Sequence, residues 1–188
     1  MIPKFNKLIL ITSIVALSSA FYGYQYGLHR AYSESSLQTT PTIDKTKPIL
    51  TVAGIVYVET EQKYALIQRG KEPKGLAMFG GHVEAKESPE EAFVREAKEE
   101  LNVDVKDLKL IGLHGVFGRD PRQHSVEGTY FCTTSQLPYA GSNAKSVILY
   151  SSDELMNLVG DHGQKFAFDH REILKNFFKE KSNDALQR

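Results

Sequence analysis

Hydrophobic and polar positions alternate in short blocks along most of the chain and predict an ordered series of strands. Short β-branched or apolar runs bounded by polar turns are typical of strands. Such runs are found at Leu50–Val58, Lys63–Arg69, Leu108–Phe117, Ser125–Thr133 and Ser146–Tyr150. A short polar turn joins the first two, which predicts a hairpin.

The first predicted helix has a complete set of start and stop signals. Ser88 is a candidate N-cap, Pro89 suits the first helical position, and Glu91 completes a capping box. The helix is expected to run to Leu101, because Asn102 tolerates the left-handed conformation that ends a helix.

Two further helices are predicted near the carboxyl end. Ser151 and Glu154 open a short one, and Asp169 with Glu172 caps the last. The last helix carries an apolar stripe that should face the core, at Ile173, Leu174, Phe177 and Phe178. Strands before, between and after helices predict an α/β domain with a mixed β-sheet.

The amino end has a different pattern. No charged residue occurs from Leu8 to Leu28, and this length just suffices to cross a bilayer core of about 30 Å as a helix. A basic start, an apolar centre and the small residues Ser18 and Ala20 also fit a cleaved signal peptide. Residues 1–30 are therefore predicted to be a membrane anchor or an export signal, and either role places them outside the fold. The side of the membrane on which the domain lies stays open.

Composition narrows the remaining possibilities. The 188 residues include 23 Lys and Arg against 23 Asp and Glu, so the chain lacks the net positive charge typical of nucleic-acid binding. Cys132 is the only cysteine, which excludes an intrachain disulfide and a cysteine-based zinc site. Residues 31–48 are rich in Ser, Thr and Pro and predict a polar linker, which leaves residues 49–188 as one folded domain.

Negative charge is concentrated in the first predicted helix. At about 100° per residue, Glu96, Glu99 and Glu100 fall within one arc. The packing arc is expected to hold Phe93, Val94, Ala97 and Leu101. At a separation of about 6 Å, two such carboxylates repel by roughly 0.7 to 3 kcal/mol, so a cation is expected to offset them.

Two cations fit this cluster. Arg95 stands at i,i+4 spacing from Glu91 and Glu99, and each such pair contributes only about 0.2 to 0.5 kcal/mol. The alternative is a hard divalent cation, Mg²⁺ or Mn²⁺, which takes oxygen ligands. Gly80 and Gly81 are predicted to form a tight loop before the helix, where the backbone approaches a metal or phosphate closely. This loop favours the divalent cation.

The wider pattern resembles a known signature. Gly81, five residues, Glu87, seven residues and then REAKEELNV, residues 95–103, resemble the Nudix box of hydrolases that act on nucleoside diphosphates linked to another moiety. A chance match of its six fixed residues in a chain of this length is on the order of one in ten thousand or less. The resemblance covers Thr51 to about Glu180 and implies an α/β/α sandwich around a mixed sheet. Asn102 replaces the expected glycine near the end of the box and is the residue next best able to adopt positive φ.

Segments outside the box resemble the ADP-ribose pyrophosphatase-like branch of that family. These are RDPRQHSV, FAFDHREIL and AGSNAK, the last in place of an acidic stretch. Ser142 and Asn143 stand where the branch tends to carry aspartates. Leu76 and Phe79 precede the glycine pair where relatives often have tryptophan and proline, which alters the pocket wall more than the metal chemistry.

The resemblance implies roles for individual residues. The expected ligands of Mg²⁺ or Mn²⁺ are the Gly80 carbonyl and the carboxylates of Glu96, Glu99 and Glu100. Glu87 and Arg95 are expected to support the box together with Gly81.

Catalysis is expected from Glu99, Glu100 and Glu127. The general base is left open between Glu99 and Glu127, and an outward-facing strand residue is the alternative account of Glu127. His170 is assigned only to the start of the last helix. Phosphate contacts are expected from Arg69, Arg119 and Arg122, and plain surface residues are the alternative.

The sequence thus predicts a metal-dependent Nudix hydrolase. Its expected partner is a nucleoside diphosphate derivative such as ADP-ribose, or a nucleoside triphosphate, and not a nucleic acid. A nucleotide sensor without turnover and a membrane-tethered adaptor are the alternatives. Whether the protein forms a homodimer stays open.

Overall fold

The fold comprises seven strands and three helices in the part of the chain that a computed structural model describes, residues 47–141, 144–161 and 163–186. The strands are β1 Ile49–Val58, β2 Lys63–Arg69, β3 Leu76–Ala77, β4 Phe79–His82, β5 Lys106–His114, β6 Ser125–Thr134 and β7 Ala144–Tyr150. The helices are α1 Pro89–Leu101, α2 Ser152–Gly160 and α3 His170–Leu186.

Strand β1 is the centre of a mixed sheet. It runs parallel to β6 along its whole length, from the pair Ile49 and Ser125 to the pair Val58 and Thr134. Its other edge is shared by β4 and β2, both antiparallel. β5 pairs with β6, whereas β3 and β7 pair with β2. The sheet therefore combines one parallel pair with antiparallel pairs, which confirms the predicted mixed sheet.

Helices cover both faces of this sheet. Successive side chains of a strand point to opposite faces, so β1 contributes to two separate cores. One core joins the sheet to α1 through Val52, Val56, Phe79, Phe93, Ala97 and Leu101. The other joins it to α2 and α3 through Ala53, Ile55, Leu66, Leu155, Leu174 and Phe178.

The predicted start and stop of α1 are confirmed. The Ser88 hydroxyl accepts from the Glu91 N–H at 3.2 Å, and the Glu91 carboxylate accepts from the Ser88 N–H at 2.7 Å. Asn102 ends the helix in the left-handed conformation, with φ of +57°. The capping box of Ser151 and Glu154 at α2 is confirmed as well.

The third helix begins where it was predicted, but its cap differs from the prediction. The Glu172 N–H donates to the backbone carbonyl of Asp169 at 3.0 Å. The Asp169 carboxylate instead accepts from Arg119, with Oδ2 at 3.0 Å from Nε. Arg119 donates to both oxygens of this carboxylate in a bidentate, charge-assisted pair, so Asp169 connects α3 to a distant loop.

The tight loop predicted at Gly80 and Gly81 is wrong, because both residues belong to strand β4. They pair with Ala53 and Val52 of β1. Glycine is depleted in strands, which conceals this element in the sequence. Its presence has a steric reason: a Cβ on Gly80 would overlap the carbonyl oxygen of Val52, and one on Gly81 would overlap the Glu96 carboxylate.

The packing arc predicted for α1 is partly wrong, because it included Val94 and left out two glutamates. Glu96 and Glu100 are buried, whereas Val94 is about half exposed at 49%. The glycines of β4 carry no side chains, so the helix approaches the strand closely enough to bury these two glutamates. The acidic arc of α1 therefore faces the protein for most of its width.

The fifth strand ends earlier than predicted. β5 stops at His114, and the chain then turns through residues 115–118, where Gly118 has φ of +90°. Phe117 lies in this turn and is 83% exposed. Glycines at both ends of the turn account for the shorter strand.

The predicted anchor or signal peptide, residues 1–30, and residues 31–46 of the predicted linker lie outside the described residues. Among the residues that are described, no helix combines the length and the apolar character required to cross a membrane.

Candidate active site

A cleft of about 360 Å³ opens beside the amino-terminal half of β1. Its walls come from β1, β4, β6 and α1, from the end of β2 with the residues after it, from the loop of residues 115–124, and from the segment that leads into α3. It gathers most of the predicted site residues: Arg69, Gly80, Gly81, Glu96, Glu100, Arg119, Arg122 and Glu127. These residues come from five separate parts of the chain, and the sheet brings them together.

Glu100 is the most deeply buried carboxylate that α1 contributes. Its Oε2 accepts from the Gly80 N–H at 3.1 Å. Burial raises the pKa of Glu100 to about 7, and the charges of Glu96 and Glu99 add to this increase. The Gly80 bond and the charge of Arg69 oppose the increase but do not cancel it. The folded protein therefore stabilises the protonated form of Glu100 in the absence of a cation.

Glu96 lies beside Glu100 on the cleft side of the helix. Burial raises its pKa, although Arg95 works in the opposite direction. Its Oε1 accepts from Nη1 of Arg95 at 2.9 Å. Of the two neighbouring buried carboxylates, only Glu96 is therefore paired with an arginine, and Glu100 accepts from the Gly80 N–H instead.

Arg95 mainly connects the helix to the preceding loop. It donates to both oxygens of Glu87, at 3.2 and 2.8 Å, and to the carbonyl of His82 at 2.9 Å. The bonds to Glu87 are the largest cause of its raised pKa. This geometry is what a supporting role of Glu87 and Arg95 requires.

Glu99 differs from its two neighbours in exposure. Its side chain is about half exposed, and Oε2 lies 3.5 Å from Nη1 of Arg95. Within the described ranges, no three His, Cys, Asp or Glu side chains are grouped in a way that could hold a metal ion.

The donor set nevertheless fits Mg²⁺ or Mn²⁺. Magnesium is commonly held by one or two carboxylates together with substrate phosphates and water, and not by a complete protein cage. Glu96 and Glu100 supply two hard oxygen donors at one end of the cleft, and burial penalises their charge when no cation is present. A divalent cation would remove this penalty.

Glu127 faces the cleft and not the solvent. It is 6% exposed and stands opposite Thr51 in the parallel register of β1 and β6. Arg119 donates to both of its oxygens, at 3.3 Å to Oε2 and 2.9 Å to Oε1. Burial acts to raise the pKa of Glu127, but His170 and Arg119 outweigh it and hold the pKa below its usual range.

His170 connects this network to Met78, the residue between β3 and β4. Its Nδ1 accepts from the Met78 N–H at 3.0 Å, so Nδ1 carries no proton in this arrangement. Its Nε2 is buried at 3.5 Å from Oε2 of Glu127. His170 therefore presents Nε2 to Glu127, and Arg119 is the permanent positive charge beside that carboxylate.

The three predicted phosphate-binding arginines differ in how far they are already paired. Arg119 is buried between Glu127 and Asp169. Arg122 forms a bidentate pair with Asp120, in which Nε donates to Oδ1 at 2.9 Å and Nη2 donates to Oδ2 at 2.7 Å. Arg69 donates to the carbonyls of Pro73 at 2.8 Å and Glu72 at 3.5 Å, and no carboxylate hydrogen-bonds to it within the described ranges.

Sequence reasoning missed four residues of this site. Asp120 and Phe168 line the cleft, as does His170, whose ring accepts a hydrogen bond from a residue 92 positions away. Asp169 was assigned to a helix cap and pairs with Arg119 instead. The spacing of Asp120 and Arg122 on either side of a proline was the one local signal for a pair, whereas the other contacts arise only from the tertiary fold.

Comparison with known proteins places this geometry in a family. A NUDIX domain is recognised over residues 48–177. The chain belongs to the Nudix family. It is 37% identical to the ADP-ribose pyrophosphatase of Methanocaldococcus jannaschii over 139 residues, which are 72% of this chain and 76% of that protein. With this relative and the family match, the chain is a Nudix pyrophosphohydrolase.

Solved structures agree on the Nudix fold. A MutT/nudix family protein from Enterococcus faecalis matches with a TM-score of 0.61 and 27% identity, over 87% of this chain and 73% of that one. The NUDIX domain of Shewanella oneidensis NrtR, solved with ADP ribose, matches with a TM-score of 0.62 and 22% identity, over 82% of this chain and 97% of that one. At this identity the second likeness concerns the fold alone.

Proposed function

We propose that this Nudix hydrolase cleaves the diphosphate linkage of ADP-ribose or a closely similar nucleoside diphosphate derivative, with Mg²⁺ or Mn²⁺ as cofactor. The observation that carries the proposal is the meeting of two buried carboxylates, Glu96 and Glu100, with Arg69 in one cleft. The 37% identity to an ADP-ribose pyrophosphatase supports this choice of substrate.

Glu96 and Glu100 would hold the cation, with the Gly80 carbonyl as a further contact. A bound divalent cation would supply the positive charge that neutralises the diphosphate oxygens as charge develops on them. Arg69 offers its guanidinium N–H groups to a phosphoryl oxygen, since its present acceptors are backbone carbonyls.

In the proposed reaction a water molecule attacks one phosphorus atom and the bond from that phosphorus to the bridging oxygen breaks. Hydrolysis of ADP-ribose in this way yields AMP and ribose 5-phosphate. A carboxylate accepts the proton of the attacking water. Glu127 already accepts two hydrogen bonds from Arg119 and its pKa is lowered, which makes it a weak base. Glu99 is the other candidate, and its half-exposed side chain, 3.5 Å from Arg95, connects it only weakly to the cleft.

The proposal is tested with the full chain and a panel of ADP-ribose, NADH, dinucleoside polyphosphates and oxidised nucleoside triphosphates, with Mg²⁺ or Mn²⁺. Chromatography of the products identifies the bond that breaks. We expect ADP-ribose to give the highest kcat/KM, Glu100→Gln to lower that value on the order of a thousandfold and Glu61→Gln to retain it. Glu61 is an exposed residue of the turn between β1 and β2, at the opposite end of β1 from the cleft.

Each other outcome has a definite meaning. A triphosphate hydrolysed more efficiently than ADP-ribose would refute the choice of substrate. Absence of product from every compound would favour a nucleotide sensor, a function that the comparisons do not support.

The proposal for the amino end is separate: residues 1–30 attach the domain to a membrane or direct its export. Mass spectrometry of the native protein distinguishes a chain that begins near Phe21 from an intact anchor. A full-length chain recovered without membrane would contradict both forms of the proposal.

A further inference from the structure

Two arginine side chains of the cleft meet at one aromatic ring. The Cζ atoms of Arg69 and Arg122 lie 4.8 Å and 5.2 Å from the centroid of the Phe168 ring. All three side chains line the cleft. A guanidinium over an aromatic face is attracted by the electron density of the ring and prefers a defined orientation there. One ring thus contributes to the orientation of both guanidinium groups.

Both guanidinium groups keep donors available for a ligand. Arg69 uses Nε and Nη2 for the carbonyls of Pro73 and Glu72, and Arg122 uses Nε and Nη2 for Asp120. For the Nη1 atoms of both, no hydrogen bond is found within the described part of the chain. Burial and the charge of Arg122 lower the pKa of Arg69, and the nearby carboxylates of Glu100 and Asp120 act in the opposite direction without cancelling that decrease.

The backbone around Phe168 holds its ring in place. The Leu76 N–H donates to the carbonyl of Lys165 at 2.9 Å, and the Ala167 N–H donates to the carbonyl of Leu76 at 2.8 Å. Phe168 itself has φ of +56°. Aromatic residues rarely adopt this left-handed conformation, which persists only where the surroundings impose it. The ring of His170, 5.0 Å away, adds a further contact.

We propose that Phe168 is a positioning residue that holds Arg69 and Arg122 in the orientation that receives the phosphoryl oxygens of the substrate. The inference rests on the proposed function, because that function assigns the anionic diphosphate to this cleft. Phe168 acts through the two arginines, and its own ring makes no contact with the reacting atoms.

The first test separates substrate binding from chemistry. Phe168→Leu keeps an apolar side chain at a position that requires positive φ, but it removes the ring. We expect KM for ADP-ribose to rise about tenfold while kcat stays within about twofold. Phe168→Tyr keeps the ring and should retain the wild-type KM.

Phe166 provides a matched control. Its ring carries the guanidinium of Arg171 at 4.8 Å, and its side chain packs against the core on the α2 and α3 side of the sheet. Phe166→Leu therefore removes the same kind of contact outside the cleft, and KM should not change. An equal rise of KM in both variants would overturn the inference.

A double-mutant cycle tests whether Phe168 acts through Arg69. The effects of Phe168→Leu and Arg69→Met on KM should not multiply, because the second change removes the group that the first one misplaces. Multiplying effects, or a wild-type KM in Phe168→Leu, would refute the positioning role. If Phe168→Leu does not fold, as judged by circular dichroism, Phe168→Met provides the same comparison.

A binding measurement keeps this inference separate from the proposed function. Inorganic pyrophosphate is titrated into wild type, Phe168→Leu and Phe166→Leu by calorimetry without divalent metal. We expect about tenfold weaker binding in Phe168→Leu alone. This result would uphold the inference even if no compound of the panel is hydrolysed, and equal affinity in all three proteins would refute it even if ADP-ribose is the substrate.

Discussion

Two buried carboxylates of the same cleft, Glu100 and Glu127, have pKa values that the fold shifts in opposite directions. Both are less than one tenth exposed. Burial raises the pKa of Glu100 to about 7, whereas Glu127 has a pKa below its usual range. The difference lies in their partners, because Arg119 donates two hydrogen bonds to Glu127, and Glu100 accepts only the Gly80 N–H from within the described part of the chain.

This difference indicates which carboxylate has a structural role and which one binds a ligand. A buried charge that already has a permanent counter-ion holds structure together, whereas a buried carboxylate without one is costly unless a cation arrives. Glu127 with Arg119 belongs to the first class and Glu100 with Glu96 to the second. Substitutions at these residues and changes of pH can test this division.

The largest effect is expected from Glu100→Gln. The variant keeps the size of the side chain and removes one donor of the proposed cation site. We expect kcat/KM to fall on the order of a thousandfold, about 4 kcal/mol of transition-state stabilisation, as measured by initial rates with ADP-ribose. Loss of activity by less than about tenfold would place the essential donor elsewhere.

Arg119→Met should mainly reduce stability. It leaves the buried charge of Glu127 and the partly exposed charge of Asp169 without their common partner. The loss of one member of a buried pair typically costs about 3 to 5 kcal/mol. Urea unfolding gives the value. Lys106→Met, which breaks an exposed pair with Glu59, should cost no more than about 1 kcal/mol.

The double variant Arg119→Met with Glu127→Gln should regain part of the lost stability, because it removes both charges of the buried pair. Equal costs for Arg119→Met and Lys106→Met would contradict the framework role of Glu127.

The stability of the cation-free protein should depend on pH through Glu100. Its folded-state pKa of about 7 is higher than that of an unfolded glutamate, so the folded state binds the proton more tightly. The contribution of Glu100 to the free energy of unfolding is therefore fully present below about pH 4.5. It decreases as pH rises through about 7, by on the order of 2 kcal/mol. Unfolding by urea between pH 5 and 8 measures the change.

Two controls belong to this measurement. Glu100→Gln should remove the decrease, and Mg²⁺ should stabilise the wild type more at pH 8 than at pH 6, because the ligand must be deprotonated. Glu127 has a lowered pKa, so it reduces the stability only at lower pH, where its carboxylate becomes protonated. A decrease that persists unchanged in Glu100→Gln would show that another group is responsible.

The smallest effect is expected from Glu99→Gln. Its half-exposed side chain and its contact with Arg95 at 3.5 Å indicate a weaker connection to the cleft than that of Glu100. We expect kcat/KM to fall about tenfold, about 1.4 kcal/mol. A loss as large as that of Glu100→Gln would assign Glu99 the same importance and make it the base or an equal ligand.

Much of the fold was predictable because its signals are local. The capping boxes at Ser88 and Ser151 and the left-handed Asn102 were read directly from the sequence, since each depends on residues within one turn. Strand β4 was missed, because glycines carry no strand signal. They are required there by the approach of the Val52 carbonyl and the Glu96 carboxylate, both distant in sequence.

The site was predictable to the extent that it lies in one helix. The i,i+4 spacing of Glu96 and Glu100 is enough to place both carboxylates on the same side of α1. The environment that distinguishes Glu100 from Glu127 comes from other elements: the Gly80 N–H in β4, Arg119 in a loop, and His170 at α3. A single sequence does not show which residues of distant elements contact one another. It therefore predicted the residue types of the site but not the pairs that they form.

The most direct test of the central claim is a crystal structure with Mn²⁺ and a nonhydrolysable ADP-ribose analogue, with anomalous diffraction to locate the metal. We predict an anomalous peak at about 2.1 Å from carboxylate oxygens of Glu96 and Glu100, and phosphoryl oxygens of the analogue at the same ion. No anomalous peak at these carboxylates with the analogue bound, or a peak beside Glu127 instead, would contradict the account.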